Sequence, residues 1–432
     1  MSTNNNILIP AAQKLYSALV NLEKFSRHND FFDNVASLDG FLSEYRNVTF
    51  VIQKSLAHTE HIETYQKLRD KYLSGEIGKW FIHKRNEVLK EHPFELVKVV
   101  EVTIYDSSTP TKIVTKIFSA EDDEDYATIL DSIHKFLKVL PIGEISFSIE
   151  YIYKEKESKE NLFDKLFVGI EMMLNFFTAL SEEIKDESKV FRGLMKKIKD
   201  LNIYKVNTTD LFVEDLVYYR STDEIEHGSR IELRLPDTKI SLTKMLGMDK
   251  TLQKYGINIS TTKLHEAFLK ILNLHIFIYI QQHHHIMPTI FTVYSDMKLR
   301  MQSFDSSIRS TVYRKINETA KRIESEDIIA IFLIHECWAY PNKPEIFYKN
   351  YEERVATENP ISIFAAHMID ADLNCYSYHF EESKIESREY VLKTINDTMK
   401  LINPQIFMLP IYQAFVNNSA SKNRDNTLNN CC

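Results

Sequence analysis

The chain has 432 residues, of which 44% are hydrophobic and 26% charged. That balance excludes wholesale disorder and leaves room for two or three domains with sizeable cores. A formal charge of −8 excludes a global basic field, so any nucleic-acid contact must come from a local patch. Nine glycines and 11 prolines, few for this length, favour helices over glycine-rich phosphate loops.

The first six residues, Met1 to Asn6, are polar and carry neither the basic nor the apolar part of a signal peptide. The most apolar run, Leu272 to Ile280, is too short to span a membrane and contains His275. Four cysteines, Cys337, Cys375, Cys431 and Cys432, make no disulfide framework and no paired zinc pattern. These features predict a reduced, cytoplasmic protein. The terminal Cys431-Cys432 pair resembles the prenylation signal of Rab-type GTPases. No other GTPase pattern accompanies it, and the plain expectation is a disordered polar tail over 417–432.

In chain order, apolar residues at three- and four-residue steps predict a helix over 7–27 (Leu8, Ala11, Leu15, Leu19, Leu22). A second helix is expected to be capped by Asp33 and to carry a Leu38, Phe41, Leu42, Tyr45, Val48, Ile52 stripe. A third is predicted over His61 to Leu73, stopped by Gly75, and a fourth ends at His92 because Pro93 follows. Four helices in 92 residues with short connections predict an antiparallel bundle. Beyond Pro93, Leu96 to Tyr105 and Thr111 to Phe118 read as a hairpin around the Asp106–Pro110 turn cluster. The acidic run Glu121–Asp125 is placed to cap a helix at Tyr126 to Leu137, and Glu144 to Tyr153 reads as a strand. Leu162 to Ile184 is a long core-facing helix. The basic run Arg192, Lys196, Lys197, Lys199 suits a solvated face. Strands are predicted at Leu216 to Tyr219 and Ile231 to Leu235. Later come a helix over Thr261 to His285, a surface helix over Arg300 to Ile323, a buried strand at Ile328 to Ile334, strands at Ile361 to Met368 and Cys375 to Phe380, and a helix over Glu386 to Ile402.

The stretch with chemical content is the fourth helix. At ~100° per residue, Arg85 and His92 fall within ~20° of each other, flanked by Phe81, Ile82, Val88 and Leu89. A cation in an apolar stripe must be paired, desolvated or placed at an interface. Arg85-Asn86, five residues and then His92 resembles the Arg-x4-6-His signature of the HEPN superfamily. Members of that superfamily are small helical bundles with this motif on a late helix. The likeness covers residues 7–95. In nuclease members, two protomers pair so that both motifs line one cleft, and RNA is cut without metal through the ribose 2′-hydroxyl. Carried over, the resemblance implies that Arg85 stabilises phosphate charge, His92 moves a proton and Asn86 fixes the motif, in a homodimer acting on RNA. Arg220 and His227 reproduce the spacing in what reads as a polar loop, so spacing alone says little. The competing reading is a core arginine satisfied by a carboxylate such as Glu44, with His92 as a cap.

Two other constellations invite chemistry. His283-His284-His285 suggests a metal, but consecutive residues on a helix point ~100° apart, which suits a solvated helix end better. His335-Glu336-Cys337-Trp338 follows a buried strand, and a thiol beside His and Glu suggests a nucleophile. Adjacent strand residues face opposite ways, so His367 or His379 would be needed to complete a triad. No Walker A loop, Rossmann glycines, Gly-x-Ser-x-Gly elbow or kinase signatures are present, and no cofactor or metal is called for.

The sequence therefore predicts an α+β protein. Its parts are a HEPN-like helical bundle over 1–93, mixed strand and helix regions with antiparallel strands over 94–260 and 261–416, and the tail. Function reads as a metal-independent endoribonuclease of toxin or antiviral-defence type. The alternative is a non-catalytic binding or regulatory protein that uses the bundle to dimerise.

Overall fold

Capping and apolar spacing set the helical start of the chain. In the computed structural model, α1 (Ile9–Glu23) and α2 (Phe31–Leu56) bury Leu15, Leu19, Leu22, Leu38, Phe41, Leu42, Val48 and Ile52. The cap of α2 is Asp30 rather than Asp33: its carboxylate accepts the Phe32 N–H at 2.7 Å. α3 (Ile62–Leu73) and α4 (Glu76–Lys90) follow. The structure describes residues 7–106, 109–119, 124–140, 144–185, 188–201, 203, 209–219, 224–227, 240–241, 261–281, 286–304, 308–340, 360–385, 388–396 and 403–429.

The helices predicted as a four-membered bundle have further members. α6 (Leu162–Glu183) packs on α3 and α4, and α7 (Lys189–Lys199) packs on α1. Gly169 of α6 permits a close approach to α4. A Cβ there would lie 2.0 Å from the Phe81 ring, and the Gly169 carbonyl accepts the buried Tyr45 hydroxyl at 2.6 Å.

The expected hairpin is β1 (Leu96–Tyr105) and β2 (Lys112–Ser119). Asp125 then caps α5 (Tyr126–Lys138) through the Thr128 N–H at 2.7 Å. With β3 (Glu144–Glu155), a single turn α8 (Thr209–Phe212), β4 (Val213–Tyr219) and β5 (Glu224–His227), the strands form a sheet of order β2-β1-β3-β4-β5. His227, expected in a loop, lies in β5 opposite Leu216. Arg220, the strand expected at Ile231 to Leu235, the three consecutive histidines and Cys431-Cys432 lie outside the described residues.

A second, antiparallel sheet has the order β11-β10-β9-β7-β8-β6. Its members are β6 (Ile240–Ser241), β7 (Thr289–Tyr294), β8 (Lys298–Ser303), β9 (Ile328–Ala339), β10 (Ile361–Asp370) and β11 (Cys375–Glu381). One face, with Phe332, Phe364 and Met368, packs with α9 (Leu264–Gln281). The other, with Ile290, Ile331 and Leu333, meets α10 (Arg309–Ser325) and α12 (Leu409–Asn429). A short α11 (Arg388–Asn396) lies between β11 and α12 in the chain.

Two expectations change here. Arg300 belongs to strand β8, not to a helix, and α10 is not a surface helix, since Arg314 and Lys315 are buried. The tail expected to be disordered from 417 is helical to Asn429, and Asn418 donates to the Ile323 carbonyl at 3.0 Å. The architecture is α+β. By contact, the chain falls into two units: residues 1–102, 116–135 and 149–214 form one, and residues 103–115, 136–148 and 215–432 the other. Among the described residues, no helix is long and apolar enough to cross a membrane.

Candidate functional site

The α4 helix ends earlier than Pro93 alone dictates. Glu91 leaves helical geometry with φ −121° and ψ −64°, so the helix stops at Lys90 and His92 lies outside it. The projection of Arg85 and His92 onto one helical line therefore does not hold.

Arg85 is half-buried. Its Nη1 donates to Asn86 Oδ1 at 3.3 Å, and its Nε is buried without a partner. Glu44 does not serve it, being paired with Lys14 at 2.9 Å. A second half-buried guanidinium, Arg46 of α2, sits 4.4 Å over the Phe50 ring and donates to Thr49 Oγ1. Burial pushes its pKa down; the positive charges of Arg69 and Arg85 push the same way, while Tyr65 acts against them. Arg69 has Asp70 at 2.8 Å. Among the described residues, no carboxylate pairs with Arg46 or Arg85. Two partly desolvated cations in mutual range without an acid make a place for an anion. The surface beside them is apolar: Ile82 and Leu89, three residues before and four after Arg85, are 40% and 49% exposed.

His92 is exposed. Its Nδ1–H donates to the Pro93 carbonyl at 2.9 Å, and its backbone N–H to the Glu87 carbonyl at 3.2 Å. Its charged neighbours are Asp39 and Glu95. Burial raises the Asp39 carboxyl, with the Phe94 N–H and His92 acting in the other direction. Among the described residues, no hydrogen bond, ion pair or ring contact joins Arg85 to His92. Asn86 meets Arg85 alone of the three. Other polar residues of α4 are tied down: Trp80 Nε1 and Lys84 both reach Glu155 of β3, and Lys84 also meets Glu87 at 2.6 Å.

The second constellation assembles through strand register. His335 lies opposite Ala365, which lies opposite His379; His367 lies opposite Leu333 and Ser377. Alternation then puts His335, Cys337, His367, Ser377 and His379 on one face. The His335 and His367 rings stack at 5.3 Å, and His367 and His379 lie edge to face at 5.3 Å. Ser377 Oγ is 2.7 Å from His367 Nδ1 and 3.3 Å from His379 Nε2. Burial holds His335 down at about 4 and puts His367 well below the usual imidazole range, with the neighbouring histidines adding to the effect. Glu336, on the other face, accepts the Ile286 N–H. Burial pushes the Cys337 thiol up to about 11, which leaves it a thiol rather than a nucleophilic thiolate. The sequence named the histidines but not their convergence; only register brings 335, 367 and 379 together. It missed Arg46 altogether, since an arginine one residue after Tyr45 breaks no helical pattern.

The chain was compared with family models, with curated proteins and with solved structures, and none of the three gives a match.

Proposed function

We propose that the helical body is a HEPN-like module that binds RNA through a phosphate and pairs with a second copy across the α4 face, in the cytoplasm. The observation that carries this reading is the Arg46–Arg85 pair, to which no carboxylate among the described residues is paired and which leaves one buried Nε unused. A phosphodiester supplies the missing charge and can accept from both guanidiniums. Exposed Ile82 and Leu89 suit a partner's apolar surface. Metal-independent cleavage follows if His92 reaches the bound phosphate. The 2′-oxygen then attacks phosphorus as His92 takes its proton, the bond to the 5′-oxygen breaks, and that oxygen gains a proton, leaving a 2′,3′-cyclic phosphate.

A second reading, binding without cleavage, is favoured by one observation: nothing joins Arg85 to His92, whose ring is turned onto the Pro93 carbonyl. End-labelled RNA incubated with the full chain in EDTA separates the two. Cleavage leaving a cyclic phosphate, and at least ~100-fold slower in His92→Ala, supports the nuclease. RNA that stays intact but is retained, and released by Arg46→Ala or Arg85→Ala, supports the binding reading. RNA neither cut nor bound defeats both. Light scattering tests the pairing: a dimer that becomes monomeric in Ile82→Asp or Leu89→Asp is the expected result, and a monomeric wild-type chain overturns it.

A further inference from the structure

The histidine cluster of the second sheet has no part in the reading above. Its hydrogen bonds restrict where the protons sit. His335 Nδ1 lies 3.1 Å from the Glu336 carbonyl, which can only accept, so Nδ1 carries the hydrogen and Nε2 carries a lone pair. A consistent chain runs through Ser377. His367 Nδ1–H donates to Ser377 Oγ, whose own hydrogen passes to His379 Nε2. That arrangement leaves His367 Nε2 with a lone pair as well. Both Nε2 atoms are buried, and neither has a partner. The Phe407 ring stands edge-on to both imidazoles, at 5.5 Å from His335 and 4.9 Å from His367.

Two neutral imidazoles on adjacent strands, each with its other nitrogen engaged by an oxygen, form the half of a metal site that a protein builds in advance. The outer oxygen fixes the tautomer and the ring orientation, and the free nitrogen is the ligand. Nitrogen donors of this kind select borderline transition metals over calcium or magnesium. Among the described residues, no group of three His, Cys, Asp or Glu side chains is placed to hold a metal. Two protein ligands with open positions are therefore what this face offers, and water or a small ligand fills the rest. His335 is half-buried and His379 exposed, so solvent reaches the rim.

We propose that His335 and His367 bind a divalent transition-metal ion of the zinc, nickel or copper class through their Nε2 atoms, with Ser377 orienting His367 from behind. The His335 Nε2 already holds a lone pair, and the His367 Nε2 holds one in the tautomer whose Nδ1–H donates to Ser377. The site stands whether or not the helical body acts on RNA.

The test uses the full chain carrying His283→Ala, His284→Ala and His285→Ala, which removes the consecutive histidines as competing ligands, after dialysis against EDTA. Zinc ion alone is titrated by calorimetry, and copper(II) binding is read by the nitrogen hyperfine pattern of its electron paramagnetic resonance spectrum. One ion per chain with coupling to two imidazole nitrogens is expected. His335→Gln or His367→Gln should weaken binding by more than ~100-fold, and Ser377→Ala by roughly 10- to 100-fold, with an unchanged fold shown by circular dichroism. No ion bound, or an affinity that neither histidine substitution changes, overturns the proposal. Should a glutamine variant fail to fold, Ser377→Ala still decides: affinity equal to the parent's removes the positioning role on which the site rests.

Discussion

Gly169 shows how much one missing methyl group sets. A Cβ there would meet the Phe81 ring at 2.0 Å. That ring stacks on Tyr45 at 4.4 Å and contacts Trp80 at 5.0 Å. Alanine gains about 1 kcal/mol of helix propensity, and overpacking a close core contact costs about 1–3 kcal/mol. Gly169→Ala is thus expected to be destabilising on balance, with a lower urea midpoint; an equal or higher midpoint would show that Phe81 has room to move. At this scale the sequence was partly legible. The stripe holding Phe81 and the anomaly of Arg85 were both readable from helical spacing. Arg46 and Gly169 were not, because each matters through a neighbour far off in the chain, and a periodicity carries no record of what packs against it.

Among the elements, α10 departs furthest from its pattern. Its arginines and lysines suggest a solvated helix, yet Arg314 is 7% exposed. Its Nε and Nη2 donate to Asp215 at 3.1 Å and 2.5 Å, its Nη1 reaches Glu318 at 2.9 Å, and Ser148 Oγ donates to the same aspartate at 2.6 Å. Asp215→Ala strands the guanidinium and is expected to cost about 3–5 kcal/mol, read from chemical denaturation. Replacing both partners, as Asp215→Leu with Arg314→Met, should recover most of that loss. A single substitution that costs under ~1 kcal/mol would mean that Glu318 alone satisfies the arginine. Charge on a helix does not tell which side of it meets water, and so the burial was hidden. The β7–β8 hairpin was missed for another reason. Thr289 to Tyr294 is a run of β-branched and aromatic residues after Pro288, a legible strand signal. Its turn, however, places Met297 at φ 57°, a conformation that a methionine does not advertise.

For the whole molecule, the α+β class was legible because the change from three- and four-residue spacing to alternation at Pro93 is abrupt. Stability should carry a pH signature of the same breadth. Burial holds His275 of α9 below the usual imidazole range, outweighing its bond to the Ile271 carbonyl. Glu326 is held at about 2, first by Arg322 and also by the Tyr294 hydroxyl. Both folded-state values are depressed. The histidine's contribution is therefore complete above about pH 6.5 and declines below it, and the glutamate's is complete above about pH 4.5 and declines toward pH 2. The urea midpoint, followed from pH 8 downward in EDTA, is expected to fall first below about pH 6.5 and again below about pH 4.5. A midpoint level from pH 7 to pH 3 contradicts both assignments.

The bond from Tyr45 to the Gly169 carbonyl spans 124 positions of chain. At synthesis rates of about 5–20 residues per second, Tyr45 of α2 emerges roughly 6–25 s, and Phe81 of α4 roughly 4–18 s, before the helix that covers them. Until then Tyr45 and Phe81 lie open on an incomplete bundle, in the same helices as Arg46 and Arg85. The newborn chain thus presents these aromatic rings and the two guanidiniums together. This interval gives a chaperone an opportunity to engage the open aromatic face.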